Sequence, residues 1–169
     1  MNRPDLRKCL ERINALAKEM QSHVPASLKG AEDFRADLAG LLTVIIVASY
    51  ESCVKETLIG FSLRQNQAFS EYVERRYDKL NSKIAINELS KYCADFNPAA
   101  KKLFNDHRNK RKNRINNLLG QDIEKKYQQI LEWRHSFAHK GLRNTTIEEV
   151  MAFHRYAKHV LFAFYDSFQ

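Results

Sequence analysis

The chain is expected to be all-α, a single helical bundle of about five to seven helices spanning residues 1–169. Three observations lead there. Glycine and proline are scarce, 5 and 3 in 169 residues, which leaves little punctuation for hairpins and favours long helices. Apolar residues recur at spacings of three and four through most of the chain. No segment alternates apolar and polar residues as a half-buried strand would, and no internal repeat or low-complexity linker divides the sequence.

The first helix is expected to start at Pro4, a residue suited to a first turn. Leu6, Leu10, Ile13, Leu16, Met20 and Val24 then form one apolar stripe, broken by Pro25 through Gly30. A long second helix runs from about Glu32 into the mid-sixties. Its middle, Leu38 to Tyr50, is apolar nearly all round between Asp37 and Glu51, as in the central helix of a bundle. That run of 13 residues falls short of the roughly 20 that a membrane span requires, so a buried core helix and no membrane are expected.

Asn66 and Ser70 mark a restart, followed by Tyr72, Val73 and Tyr77. Asn81-Ser82 resembles another start, leading into Ile84, Ile86, Leu89 and Tyr92. Asn97-Pro98 opens a segment that reaches Leu119-Gly120. Asp122 opens a helix carrying Ile123, Tyr127, Ile130, Leu131 and Trp133, for which Gly141 is the expected stop. Thr145 with Glu148, and again Thr146 with Glu149, form capping-box patterns. The last helix then presents Ile147, Val150, His154, Ala157, Leu161, Phe164 and Phe168 on one side.

The net charge of +8 and a pI near 9.4 favour a polyanionic partner without choosing among RNA, DNA and an acidic surface. Cys9, Cys53 and Cys93 are odd in number, far apart and set among apolar neighbours. They form neither a disulfide framework nor a zinc ligand set, and read as buried free thiols of a reducing cytosol. The N-terminus lacks the apolar core of a signal peptide, so a cytoplasmic protein is expected.

Residues 132–141 read Glu-Trp-Arg-His-Ser-Phe-Ala-His-Lys-Gly. Arg134 and His139 are a pair suited to RNA cleavage. Attack by a 2′-hydroxyl needs a base for its proton or an acid for the leaving 5′-oxygen, and an imidazole serves either role near neutral pH. A guanidinium fork binds two non-bridging oxygens at once while charge builds on them. Five residues turn a regular helix by about 140°. The two side chains therefore converge on one phosphate only if the helix ends between them, which Gly141 makes credible, or if a second copy supplies the partner. A helix-end ion pair for Arg134 and an interior histidine at 139 are the bland alternative. His135 and His139, four apart, have only Glu132 nearby as a third ligand; no metal and no cofactor are expected.

Two further stretches bear on the same question. Glu51 and Lys55 lie four apart and interrupt an apolar helix, either as an ordinary ion pair or as part of a site. Residues 107–114 hold five cations, Arg108, Lys110, Arg111, Lys112 and Arg114, and no acid; Lys101 and Lys102 extend the stripe. A solvated face and a phosphate-tracking RNA surface both fit that run.

The Arg-x4-His spacing of Arg134 and His139 resembles the signature of HEPN domains. The polar His135, the small Ala138 and the late position before the final helix are similar too. The resemblance implies a metal-independent endoribonuclease that leaves a 2′,3′-cyclic phosphate and a 5′-hydroxyl. It also implies a homodimer acting as a toxin or antiviral-defence effector, with RNA as substrate and an antitoxin or defence-system protein as a possible partner. Glu51 and Lys55 resemble a Glu-x3-Lys-Arg element of some HEPN families, with Glu56 in place of the second basic residue. HEPN toxins controlled by a nucleotidyltransferase carry a tyrosine two places after the histidine, where this chain has Gly141. The overall look is nearer the RiboL-PSP-type HEPN proteins. The alternative is a catalytically silent HEPN-like module that binds RNA or a protein.

Overall fold

The computed structural model describes residues 2–78, 80 and 83–169. In chain order the helices are α1 (Arg3–His23), α2 (Glu32–Gln65), α3 (Gln67–Arg76), α4 (Ile86–Phe96), α5 (Pro98–Leu119), α6 (Ile123–Lys140) and α7 (Ile147–Asp166), with no strand among the described residues. The fold is an all-α bundle.

Short polar side chains set most helix starts. Asn2 caps α1 and exchanges hydrogen bonds with Asp5, so the helix begins at Arg3, one residue ahead of the expected Pro4 start. Asn66 closes α2 and caps α3 by accepting from the Phe69 N–H at 2.7 Å. Ser70 therefore lies inside α3 rather than at its start. Asn97 and Asp122 cap α5 and α6 in the same way. Of the two capping patterns before α7, the Thr146 register forms, its hydroxyl accepting from the Glu149 N–H. The start expected at Asn81-Ser82 falls outside the described residues, and α4 begins at Ile86.

At 34 residues, α2 is the central helix. Its apolar stretch extends beyond Leu38–Tyr50, and by length and composition alone the helix could cross a membrane. Here half of its most apolar window is buried, under α1, α3, α6 and α7. α6 and α7 also pack on each other, so α2, α6 and α7 form the centre, with α5 laid against α6 and α7. All seven residues expected on the inner side of α7 are buried. At one end Phe96 gathers the rings of Phe61, Phe69, Tyr77 and Phe168, tying α2, α3, α4 and the end of the chain together. Tyr127 and Tyr92 donate to the Ile84 and Lys83 carbonyls, at 2.7 and 2.8 Å, and pin the segment before α4.

Two contacts fix how α2 lies on α6. Gly40 sits under the Phe137 ring, so close that a Cβ at position 40 would overlap ring carbons. Ten residues on, Tyr50 stacks on Tyr127 with ring centres 5.5 Å apart. The helices thus run antiparallel, and the Gly40 approach brings the end of α6 tight against α2. Gly40→Ala should destabilise the protein, because overpacking costs roughly 1–3 kcal/mol against about 1 kcal/mol regained in helix propensity. A thermal melt of the variant at or above wild type would contradict this contact.

His154 is fully buried, and its Nδ1 lies 2.9 Å from the Tyr50 hydroxyl. Burial, aided by the nearby Lys158 charge, pushes its pKa down to about 4. His159 falls to about 4 as well, through burial and the charges of Arg111 and Lys158. Both folded values lie below the ordinary 6.5, so the unfolded chain takes up protons first as pH falls. Their contribution is complete above about pH 6.5 and is lost as pH drops toward 4, on the order of 3 kcal/mol for His154 and less for the partly open His159. Denaturant titrations at pH 7.5 and 4.5 should register that loss. The paired Tyr50→Phe, His154→Leu variant, which removes both partners, should lose most of the pH dependence.

Candidate nucleic-acid interface and motif helix

α6 carries the motif. Its N-terminus is held by Asp122, whose carboxylate accepts from the Glu124 and Lys125 N–H groups at 2.9 and 3.2 Å. Ile123, Tyr127, Ile130 and Trp133 face the core, and Phe137 meets Gly40. The helix stays regular through His139 to Lys140. Gly141 then takes a left-handed conformation (φ 62°), its N–H bonded to the Phe137 carbonyl at 2.9 Å.

An end between Arg134 and His139 is therefore excluded, because the hydrogen-bonded ladder continues past both. Arg134 lies close to the inward line of Ile130 and Phe137, half-buried toward α2. It borders a shallow groove of about 330 Å³ with Val47, Ala85, Gln128, Leu131, His135 and Ser136. His139 points away from the bundle and is exposed. The two are separated by about 140° around the helix and about 7.5 Å along it. Among the described residues, Arg134 forms no ion pair; Glu132, the carboxylate nearest in number, borders the same groove and accepts from the Gln128 amide at 3.3 Å. His135 and His139 share the outer face with ring centres 4.7 Å apart, and both are exposed. Among the described residues, no group of three His, Cys, Asp or Glu side chains is placed to hold a metal.

Glu51 and Lys55 do not join this group. The Tyr50–Tyr127 stack sets Glu51 level with the Tyr127 turn, about 10 Å along α6 from Arg134. Lys55 lies a further turn away, and its Nζ pairs with Asp78 at 2.8 Å rather than with Glu51. The loop after the motif is fixed by a residue that the sequence did not single out. Arg143 makes a two-pronged bond to Asp37, both arms 2.6 Å, and reaches Asp33 at 3.0 Å. It ties the exit of α6 to the first turns of α2. A lone arginine in a polar loop gives no sequence signal for such a clamp.

The basic run lies on α5, and the premise that it lacks compensating carboxylates does not hold in three dimensions. Arg108 places Nε 2.9 Å from Glu124 Oε1, off the line of its own N–H. Lys112 meets Glu124 and Asp122 at 2.7 and 3.6 Å. Arg111 bonds Asp166 at the end of α7. Lys110 and Arg114 are exposed, as are Lys101 and Lys102 about two to four turns earlier. Any RNA contact on α5 thus falls to Lys110 and Arg114 before the three paired cations. Changing Lys110 and Arg114 to Gln should flatten the slope of log affinity against log salt for single-stranded RNA by roughly 0.7 per lost contact. Changing Arg108 and Arg111 should lower the melting temperature instead. An unchanged slope in the first variant would leave α5 as a solvated face.

Comparison with curated proteins returns no match, and comparison with solved structures returns none. The family model described as RiboL-PSP-HEPN matches residues 5–169, from the first turn of α1 to the last residue, with the Arg134–His139 helix near its end. A match over nearly the whole of an all-helical chain with that motif placement means that the protein belongs to the RiboL-PSP-HEPN family.

Proposed function

We propose that the protein is a metal-independent endoribonuclease in which two chains face each other across α6, so that each scissile phosphate meets Arg134 and His139 from both. The observation that carries this reading is the unbroken helix. One chain holds its guanidinium and its imidazole about 140° apart, so a single copy offers a phosphate one or the other. A two-fold axis beside the outer face of α6 brings the arginine of each chain within reach of the partner's histidine. Arg134 borders an open groove and forms no ion pair among the described residues, and His139 stands in solvent where substrate reaches it.

In that cleft one imidazole takes the 2′-hydroxyl proton and the other protonates the leaving 5′-oxygen. The guanidinium forks hold the non-bridging oxygens as charge builds. The products are a 2′,3′-cyclic phosphate and a 5′-hydroxyl. Membership of the RiboL-PSP-HEPN family supports a nucleic-acid role, and a toxin or antiviral-defence effector of the cytoplasm, restrained by a partner protein, fits it. His135, whose ring lies tilted against that of His139, steadies its orientation on the outer face. A second reading is favoured by the same geometry if the chain stays monomeric. The lone copy would then be a silent module that binds RNA or protein.

Arg134→Ala and His139→Ala should each lower cleavage by about 100-fold or more while leaving the melt near wild type. Excess EDTA should leave cleavage intact, and a single 2′-deoxy substitution at the cut position should block it. Coexpression with excess Arg134→Ala, His139→Ala chain should suppress the wild type through mixed dimers. A monomer that cuts at full rate would overturn the shared cleft, and full activity of folded His139→Ala would overturn the reading itself.

A further inference from the structure

Away from the motif face, α1 meets α2 through two sulfurs. Cys53 is buried, 1% exposed, and its thiol donates to Cys9 Sγ at 3.5 Å. Cys9 is half-buried and opens onto a groove of about 680 Å³ between the two helices, beside Arg12, Leu16, Ile45, Ser49 and Ser52. A small oxidant therefore reaches Cys9 directly, and Cys53 only by way of Cys9. That is the arrangement of an attacking thiol backed by a resolving one, two residues that the sequence separates by two helical segments.

We propose that Cys9 and Cys53 are a hydroperoxide-responsive pair that closes into an intramolecular disulfide joining α1 to α2. The inference stands independently of the ribonuclease reading. The Cys9 thiolate attacks one oxygen of the peroxide, the O–O bond breaks, and the departing hydroxide takes a proton to become water. Cys9 is left as a sulfenic acid. Cys53 then gives up its proton as its sulfur attacks Cys9 Sγ, the S–O bond breaks, and a second water leaves. Two thiols lose two electrons, and one peroxide gains them.

The polarity of the pair fits those roles. The hydrogen bond from Cys53 lowers Cys9 to about 7, with Arg12 helping and both burial and Glu56 opposing. The same contact and burial push Cys53 upward, so it keeps its proton until Cys9 has been oxidised. Closing from 3.5 Å to a bond of about 2.05 Å needs only a small approach of the two sulfurs. Cys93 provides the internal control. It is fully buried beside Ser167, and burial raises it to about 11.

The test treats the reduced full-length chain with a few equivalents of hydrogen peroxide, blocks remaining thiols, and maps the tryptic peptides. Peptides 9–12 and 36–55 should be recovered as one linked species, with Cys93 alkylated and the link reversed by dithiothreitol. The melting temperature of the oxidised form should rise by about 5 °C or more, since the bond closes a long loop. In Cys53→Ser or Cys53→Ala, Cys9 should stop at a sulfenic acid that dimedone traps. The proposal is overturned if Cys9 stays alkylatable at a peroxide dose that oxidises glutathione in the same tube. It is equally overturned if Cys9 links two chains, or if Cys93 reacts first.

Discussion

The seat of Phe137 on Gly40 decides what α6 can present outward. A glycine in the middle of a helix costs stability, and here it is placed where the ring of another helix needs the space of a Cβ. With Phe137, Ile130 and Trp133 drawn inward and Tyr127 stacked on Tyr50, the rotation of α6 about its own axis is fixed. From there the directions of the polar residues follow at 100° per residue. Arg134 inclines toward α2 and His139 faces away. The unbroken helix thus sets the separation of the two motif side chains, and core packing sets the directions in which they point.

Where structure depends on local chemistry, it was readable in the chain. Asn66, Asn97, Asp122 and Thr146 cap helices because their short side chains reach a backbone N–H two or three residues on. Gly141 ends α6 because it takes φ 62° without strain. The long second helix and the inner side of the last one follow from apolar periodicity. The start of α4 was harder to place, because Ala85 stands at its N-cap and has no side chain that can cap; α2 starts at Glu32 as expected, although Ala31 offers no cap either. The position of Gly141 signals a helix that continues to Lys140, and so past both Arg134 and His139.

What depends on neighbours distant in sequence was not readable. The run on α5 is free of acids only along the chain, since Asp122, Glu124 and Asp166 arrive from other helices and neutralise Arg108, Lys112 and Arg111. Lys55 likewise leaves Glu51 for Asp78. Cys9 and Cys53 looked like unrelated buried thiols because their spacing says nothing about which faces of α1 and α2 meet. In each case a partner brought by another helix or segment decides whether the charge or the sulfur is engaged.

The position of α7 bears on how the molecule comes into being. Its inner side buries nine residues against a core shared with α1, α2, α5 and α6, and His154 reaches Tyr50 across that core. A nascent chain that has emerged as far as Lys140 already contains the whole Arg134–His139 helix, yet the apolar faces of α2 and α6 still lack their cover. At roughly 5–20 residues per second, synthesis of the last helix follows within seconds. Until then α6 is held to α2 at Phe137 and Tyr127 but lacks the cover of α7, so the motif helix gains its full packing only after it has been made.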